Sequence, residues 1–168
     1  MAYRHRNMFL LVMILSVCGF TVAEDRHLLC SSDDVDILYS NCSRGLPTKD
    51  FSFTVEPCTL KGNRKWRGTL FWIPRADLTI LRAHVNIWSK GFESVKWKGT
   101  LCEGVDDGYT FCGALKGETI NTTVRISGRQ PTYEEGEYTI VVKAFAGHHT
   151  ELIACLNYTI IIKQPLSN

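Results

Sequence analysis

Apolar residues in this chain recur mainly at every second position. Phe51, Phe53 and Val55 alternate with Ser52, Thr54 and Glu56, and Ile120, Val124 and Ile126 alternate with Asn121, Thr123 and Arg125. A period of two puts successive side chains on opposite faces of an extended backbone, so each run predicts a strand with one dry and one wet face. The same pattern predicts strands over 35–40, 51–57, 66–73, 78–88, 94–99, 120–127, 137–145 and 153–163. Between them fall turn signals such as Arg44-Gly45-Leu46-Pro47, Lys61-Gly62-Asn63, Glu135-Gly136 and Gly147-His148. Helical periodicity is almost absent. Short strands at about ten-residue spacing imply an all-β fold, an immunoglobulin-like two-sheet antiparallel β-sandwich. The hallmarks of a true immunoglobulin domain are missing: Ile140 stands where the core cysteine would follow Tyr138, and Tyr109 lies three residues before Cys112.

The inward phase of these strands is large. Phe51, Phe53, Trp72, Phe111, Tyr138 and Tyr158 share it with Ile37, Val55, Leu70, Val85, Ile87, Ile120, Val124, Ile126, Val142 and Ile160. Two outcomes fit such a set. The sheets can close on a solid core, or they can splay and hold an apolar ligand whose burial contributes about 0.8 kcal/mol per CH₂. The pattern alone does not separate them.

The N-terminus has a different character. Arg4 and Arg6 precede an apolar run from Met8 to Phe20, followed by Thr21-Val22-Ala23. The run is shorter than the ~20 residues that span a bilayer, so 1–23 reads as a signal peptide and 24–168 as the mature domain. The expected product is secreted, with no membrane span. Removing Arg4 and Arg6 takes the 19 basic residues to 17, against 17 acidic ones. A near-neutral domain without a general cationic footprint excludes nucleic acid as a partner class.

Cysteine usage agrees with export. Cys18 leaves with the leader, and Cys30, Cys42, Cys58, Cys102, Cys112 and Cys155 remain as an even set in an oxidising compartment. Only Cys102 with Cys112 can be paired locally, across the short acidic turn between them. Sequons start at Asn41, Asn121 and Asn157; the latter two belong on outward faces, and Asn41 is the poorer acceptor because Cys42 is its middle residue. No catalytic motif is present: there is no nucleophile elbow, no H-E-x-x-H, no P-loop and no C-x-x-C. Asp106-Asp107 lacks the further oxygen ligands of a calcium loop, and His148-His149 reads as a solvated hairpin tip. The reading is a protein that is not an enzyme, holds no metal and has no cofactor, a bound lipid apart.

Four runs together resemble the lipid-recognition (ML) family. They are Trp72-Ile73-Pro74-Arg75-x-Asp77-Leu78, Asp106-Asp107-x-Tyr109-x-Phe111-Cys112-x-Ala114-Leu115-Lys116-Gly117-Glu118-Thr119, Asn121-Thr122-Thr123 and Gln164-Pro165-x-Ser167-Asn168. Within the family the likeness is to its Toll-like receptor co-receptors. It implies a sandwich opened into a hydrophobic cup that holds acyl chains of lipid A or another acylated amphipath, and pairings Cys30–Cys58, Cys42–Cys155 and Cys102–Cys112. It implies contact with a Toll-like receptor leucine-rich-repeat ectodomain through Arg75, Asp106, Asp107, Lys116 and Gly117, and hence association with the cell surface through that receptor. Tyr133 would stand at the mouth of the cup, with Lys96, Lys98 and Arg129 near lipid phosphates as charge-assisted donors. Rim positions that are basic in the mammalian co-receptor hold Glu103, Gly113, Glu135, Glu137 and Thr139 here, which implies an altered ligand preference. The alternatives are the sister branch that pairs with the radioprotective receptor, and a solid-core adhesion module without lipid.

Overall fold

The computed structural model describes residues 26–43, 50–60, 65–104, 108–127 and 134–163. Among them are nine strands and no α-helix: β1 (His27–Ser31), β2 (Val35–Asn41), β3 (Phe51–Glu56), β4 (Lys65–Trp72), β5 (Leu81–Ser89), β6 (Phe92–Cys102), β7 (Ile120–Ser127), β8 (Gly136–Ala146) and β9 (Glu151–Ile162). They form two antiparallel sheets of unequal width, one in the order β1-β2-β9-β8-β5-β6 and the other β3-β4-β7. No helix among the described residues is long and apolar enough to cross a membrane.

The alternation anticipates eight of these strands, and the discrepancies have local causes. The pairing of β1 with β2 shifts register between Leu28 and Cys30, and a bulge of this kind breaks the period of two. The strand predicted from 78 begins at Leu81 instead, because the segment before it is tied to another loop. The Leu78 N–H donates to the Ala114 carbonyl at 2.8 Å, and the Gly113 N–H donates back to Leu78 at 3.2 Å. β6 runs from Phe92 to Cys102 where the alternation predicts 94–99, because its pairing with β5 shifts register between Ile87 and Trp88 and between Leu81 and Arg82, which breaks the period of two near both ends of the predicted run.

Burial divides the sandwich along its length. At one end Trp72, Leu78, Leu81, Cys102, Phe111, Ile120, Ala146 and Ile153 form a sealed core, with Leu78 fully buried. Towards the other end the inward-facing Val55, Val85, Ile87, Val124, Ile140 and Ile160 stay only half-buried. The sheets therefore close at one end and remain parted at the other.

Two opposite corners are clasped. At the sealed end Cys102–Cys112 ties the end of β6 to the loop before β7. At the open end, along the β1/β3 edge, Cys30–Cys58 ties β1 to the chain leaving β3. Beside it the buried Asp34 carboxylate accepts from Thr59 Oγ1 at 2.9 Å and from the Leu60 N–H at 2.7 Å, joining the β1–β2 turn of the large sheet to the same chain. Cys42–Cys155 closes the longest loop, 113 residues in sequence separation, and in the chain-entropy account a loop of that order stabilises by roughly 4–5 kcal/mol. All three pairings are those the family resemblance implies.

The end of β9 is pinned to the β1–β2 turn. Lys163 Nζ donates to Asp36 Oδ1 and to the Ser32 carbonyl, both at 2.7 Å, and Ser31 Oγ donates to the same Asp36 oxygen at 2.6 Å. The Lys163 hydrogen bond foremost, and then that of Ser31, hold the Asp36 carboxyl below the usual aspartate range. A depressed folded-state value means the contribution is complete above the unfolded-state range and is lost as pH falls through the folded one. Asp36→Asn is expected to flatten this part of the acid-unfolding curve, read as urea midpoint against pH; an unchanged acid limb would remove the pair from the account.

Candidate functional site

The space between the parted sheets is built from a mismatch in side-chain size. On the large sheet Ala83, Ala144 and Ala154 stand side by side across β5, β8 and β9, and the next inward row is Val85, Val142 and Leu156. Opposite them the small sheet presents Phe51 and Phe53 from β3 with Leu70 and Trp72 from β4. A row of methyl groups does not reach the facing aromatics, and the gap is a cavity of about 290 Å³ open to the centre of a water-sized sphere. An apolar void of roughly 150 Å³ already stays dry and takes up benzene, so this one is large enough for a hydrocarbon ligand. A separate crevice of about 30 Å³ by Tyr39, Asp50 and Ile153 has room for little more than water.

Seven residues expected to line the cup do line this cavity: Phe51, Phe53, Leu70, Trp72, Phe111, Val142 and Tyr158. Ile120 joins the sealed core beneath it. Ile37, Val55, Val85, Ile87, Val124, Tyr138 and Ile160 lie on the half-buried stretch towards the open end, and Ile126 is exposed there. Tyr133 lies outside the described residues. The lining residues missed by pattern were Leu81, Ala83, Leu101, Ala144, Ala154 and Leu156. The small volume of Ala83, Ala144 and Ala154 is what makes the space, and inward phase alone did not mark them.

The wall is apolar save for one phenol. Burial, with a smaller contribution from Tyr39, pushes the Tyr158 hydroxyl far above the usual tyrosine range, so it remains neutral. Two glycines shape the surroundings. The Phe53 ring lies over Gly68, where an added Cβ would come within 2.8 Å of it. On edge strand β6 the Trp97 indole covers Gly99 closely enough that any side chain there would displace it. Beyond that point β6 is uncovered by the narrower sheet, leaving Phe92, Val95 and Trp97 exposed at 79%, 46% and 45%.

The charged groups fall into three places. At the open end of the small sheet Lys65, Arg67 and Arg125 share the outward side, with Arg67 directly between Arg125 and Glu56 in the strand register. They border a wide concavity of about 840 Å³ whose other walls include Pro57, Trp66 and Ile126. This trio escaped the sequence reading, because only the β4–β7 register brings Arg67 and Arg125 together. Lys96 and Lys98, expected near lipid phosphates, lie opposite Asn86 and His84 on the outward side of the large sheet. Arg129 lies outside the described residues.

The third place is the edge of the sealed end. The Gly117 N–H donates to the Pro74 carbonyl and the Lys116 N–H to Asp77 Oδ1, both at 2.8 Å, so the 113–119 turn is welded to residues 74–78. A positive φ of 81° at Gly117 makes that turn possible. Arg75, Lys116 and Gly117 are thereby brought onto one exposed surface. Asp106 and Asp107 lie outside the described residues. Among the sequons, Asn121 is exposed on the outward side, Asn157 is outward but half-buried, and half-buried Asn41 accepts from the Ser43 N–H at 2.9 Å. No group of three or more metal-ligating side chains occurs among the described residues.

The alanine row gives a direct test of the cavity. Ala154→Leu is expected to stabilise the lipid-free protein by about 0.5–2 kcal/mol through cavity filling, while lowering its uptake of an apolar fluorescent dye. Thermal unfolding and dye titration on the same sample read both; a destabilised variant with undiminished uptake would contradict the geometry.

Comparison with known proteins agrees with this architecture. No protein-family model matches the chain. It is 36% identical over 160 residues to human lymphocyte antigen 96, covering 95% of this chain and 98% of that protein. To lymphocyte antigen 96 of Cricetulus griseus it is 41% identical over 155 residues, covering 91% and 94%. In structure it is similar to chicken MD-1 complexed with lipid IVa, with a TM-score of 0.70, 23% sequence identity, and coverage of 83% of this chain and 98% of that one. Likeness along nearly the whole length, on a two-sheet sandwich with the expected disulfides, places the chain in the lymphocyte antigen 96 family of ML-fold proteins.

Proposed function

We propose that this protein is a secreted, non-enzymatic lipid-binding co-receptor. It holds acyl chains of a lipid A-like amphipath between its sheets and presents the ligand to the leucine-rich-repeat ectodomain of a Toll-like receptor, through which it becomes associated with the cell surface. The observation that carries the reading is the apolar cavity between the sheets, with its single buried phenol. The lipid IVa of the structurally similar chicken MD-1 supports the same ligand class. No cofactor beyond the bound lipid is needed.

Cavity formation leaves an energetic deficit of several kcal/mol, and a chain of about a dozen carbons offers on the order of 10 kcal/mol of transfer free energy before its ordering is counted. The ligand therefore completes the core. Lys65, Arg67 and Arg125 at the open end suit its phosphates, since guanidinium and ammonium groups form charge-assisted hydrogen bonds with them. Arg75, Lys116 and Gly117, at the opposite end, face the receptor and stay clear of the ligand.

Native mass spectrometry of the delipidated protein offered lipid A is expected to show a stable complex. Val142→Trp, which fills the middle of the cavity, is expected to abolish it, and equal uptake by both proteins would overturn the proposal. Arg75→Glu combined with Lys116→Glu is expected to weaken binding to a receptor ectodomain by about tenfold or more. Lipid uptake by that double variant should be unchanged, which separates receptor contact from loss of fold.

A further inference from the structure

A second cationic surface lies on the outer side of the large sheet, away from the cup. In the strand register His84 stands between Lys98 of β6 and Lys143 of β8, Asn86 faces Lys96, and Arg82 lies two residues before His84 on the same side of β5. Lys96, Lys98 and Lys143 are exposed, while Arg82 and His84 are half-buried. The whole chain carries 19 basic against 17 acidic residues, so this clustering is local. Among the described residues of β5, β6 and β8, the carboxylates on this side are Glu93, which accepts from Asn86 Nδ2, and Glu137 at the far end of β8, six residues from Lys143.

We propose that this face of β5, β6 and β8 is a docking surface for a linear sulfated polysaccharide. Strand geometry sets its cations on a grid of about 6.7 Å along each strand and about 4.8 Å between strands, a flat array suited to an extended polyanion with repeating charges. The disulfide-bonded fold belongs to the compartment where such polymers occur. A membrane surface fits less well, because docking there needs exposed apolar side chains beside the cations. Phe145 on this face is half-buried and packs on the His84 ring at 4.6 Å between centroids, while Val95 and Trp97 take the opposite phase of β6.

The histidine makes the surface respond to pH. Burial foremost, then Lys98, Lys143 and Lys96, holds His84 below the ordinary histidine range, so it is neutral at neutral pH. Sulfate groups laid over the cluster offset that repulsion and favour the protonated ring. Binding therefore strengthens as pH falls.

The test is calorimetric titration of the full mature protein with a heparin-derived oligosaccharide, at neutral pH and at about pH 6, over a series of salt concentrations. Binding should persist at physiological ionic strength and weaken with salt. Lys96→Gln, Lys98→Gln and Lys143→Gln together should weaken it by about tenfold or more. His84→Gln should remove the pH dependence while keeping the neutral-pH affinity. Arg67→Gln with Arg125→Gln, at the other surface, should leave polysaccharide binding intact, and the lysine and His84 variants should still take up lipid. Failure of the parent protein to bind, full binding by the lysine variant, loss of binding in the arginine variant, or a pH response that survives in His84→Gln would each overturn the proposal. So would equal binding of desulfated oligosaccharide, nucleic acid or anionic phospholipid vesicles.

Discussion

Two sheets of unequal width are clasped at opposite corners, and the rest of the structure follows from that constraint. Six strands face three, so the narrower sheet leaves edge strand β6 uncovered. Cys102–Cys112 with Leu78 and Leu81 seals one end, while Cys30–Cys58 and the Asp34 hydrogen bonds hold the β1/β3 edge at the other. Asp34 is buried, and a buried carboxylate is costly unless its oxygens are satisfied. Ser32, Thr59 and the Leu60 amide meet that need and bind the sheets together in doing so. What is left unclasped is the inner surface between these corners, and it is apolar.

An ordinary sandwich would fill that surface with interdigitating side chains at close-packed density. Here Ala83, Ala144 and Ala154 form a row of methyl groups just where facing aromatics would need larger partners. Stability is thereby shifted from the core to the disulfides and the sealed end. A fold held at its perimeter can tolerate an unfilled interior, and can gain free energy when hydrocarbon enters. The sheets keep three charged surfaces apart: Lys65, Arg67 and Arg125 at the open end, Arg75 and Lys116 at the sealed end, and the His84 cluster on the outer side.

The strands were legible wherever polar and apolar residues alternate cleanly. β3 is the clearest case, with Phe51, Phe53 and Val55 inward and Ser52, Thr54 and Glu56 exposed. β1 was not legible, because a bulge at Leu28–Cys30 breaks the period, and β6 was read too short because register shifts against β5 break its period near both ends of the predicted run. Of the cup, the large side chains could be read from phase. The alanines could not, because a small inward residue looks the same in a tight core and in a void.

Read alone, the sequence determined the all-β class, the even cysteine set and the inward phase of most strands, since these depend on neighbours one or two residues apart. The motif runs shared with the ML family added the disulfide pairing and the edge formed by Arg75, Lys116 and Gly117. Tertiary structure decided which strands face one another, and with it whether the apolar faces meet. It placed Arg67 beside Arg125, and His84 between Lys98 and Lys143, through strand register between residues far apart in the chain. Cavities and charge clusters are properties of distance between such residues, and a one-dimensional pattern carries no distance beyond its own period.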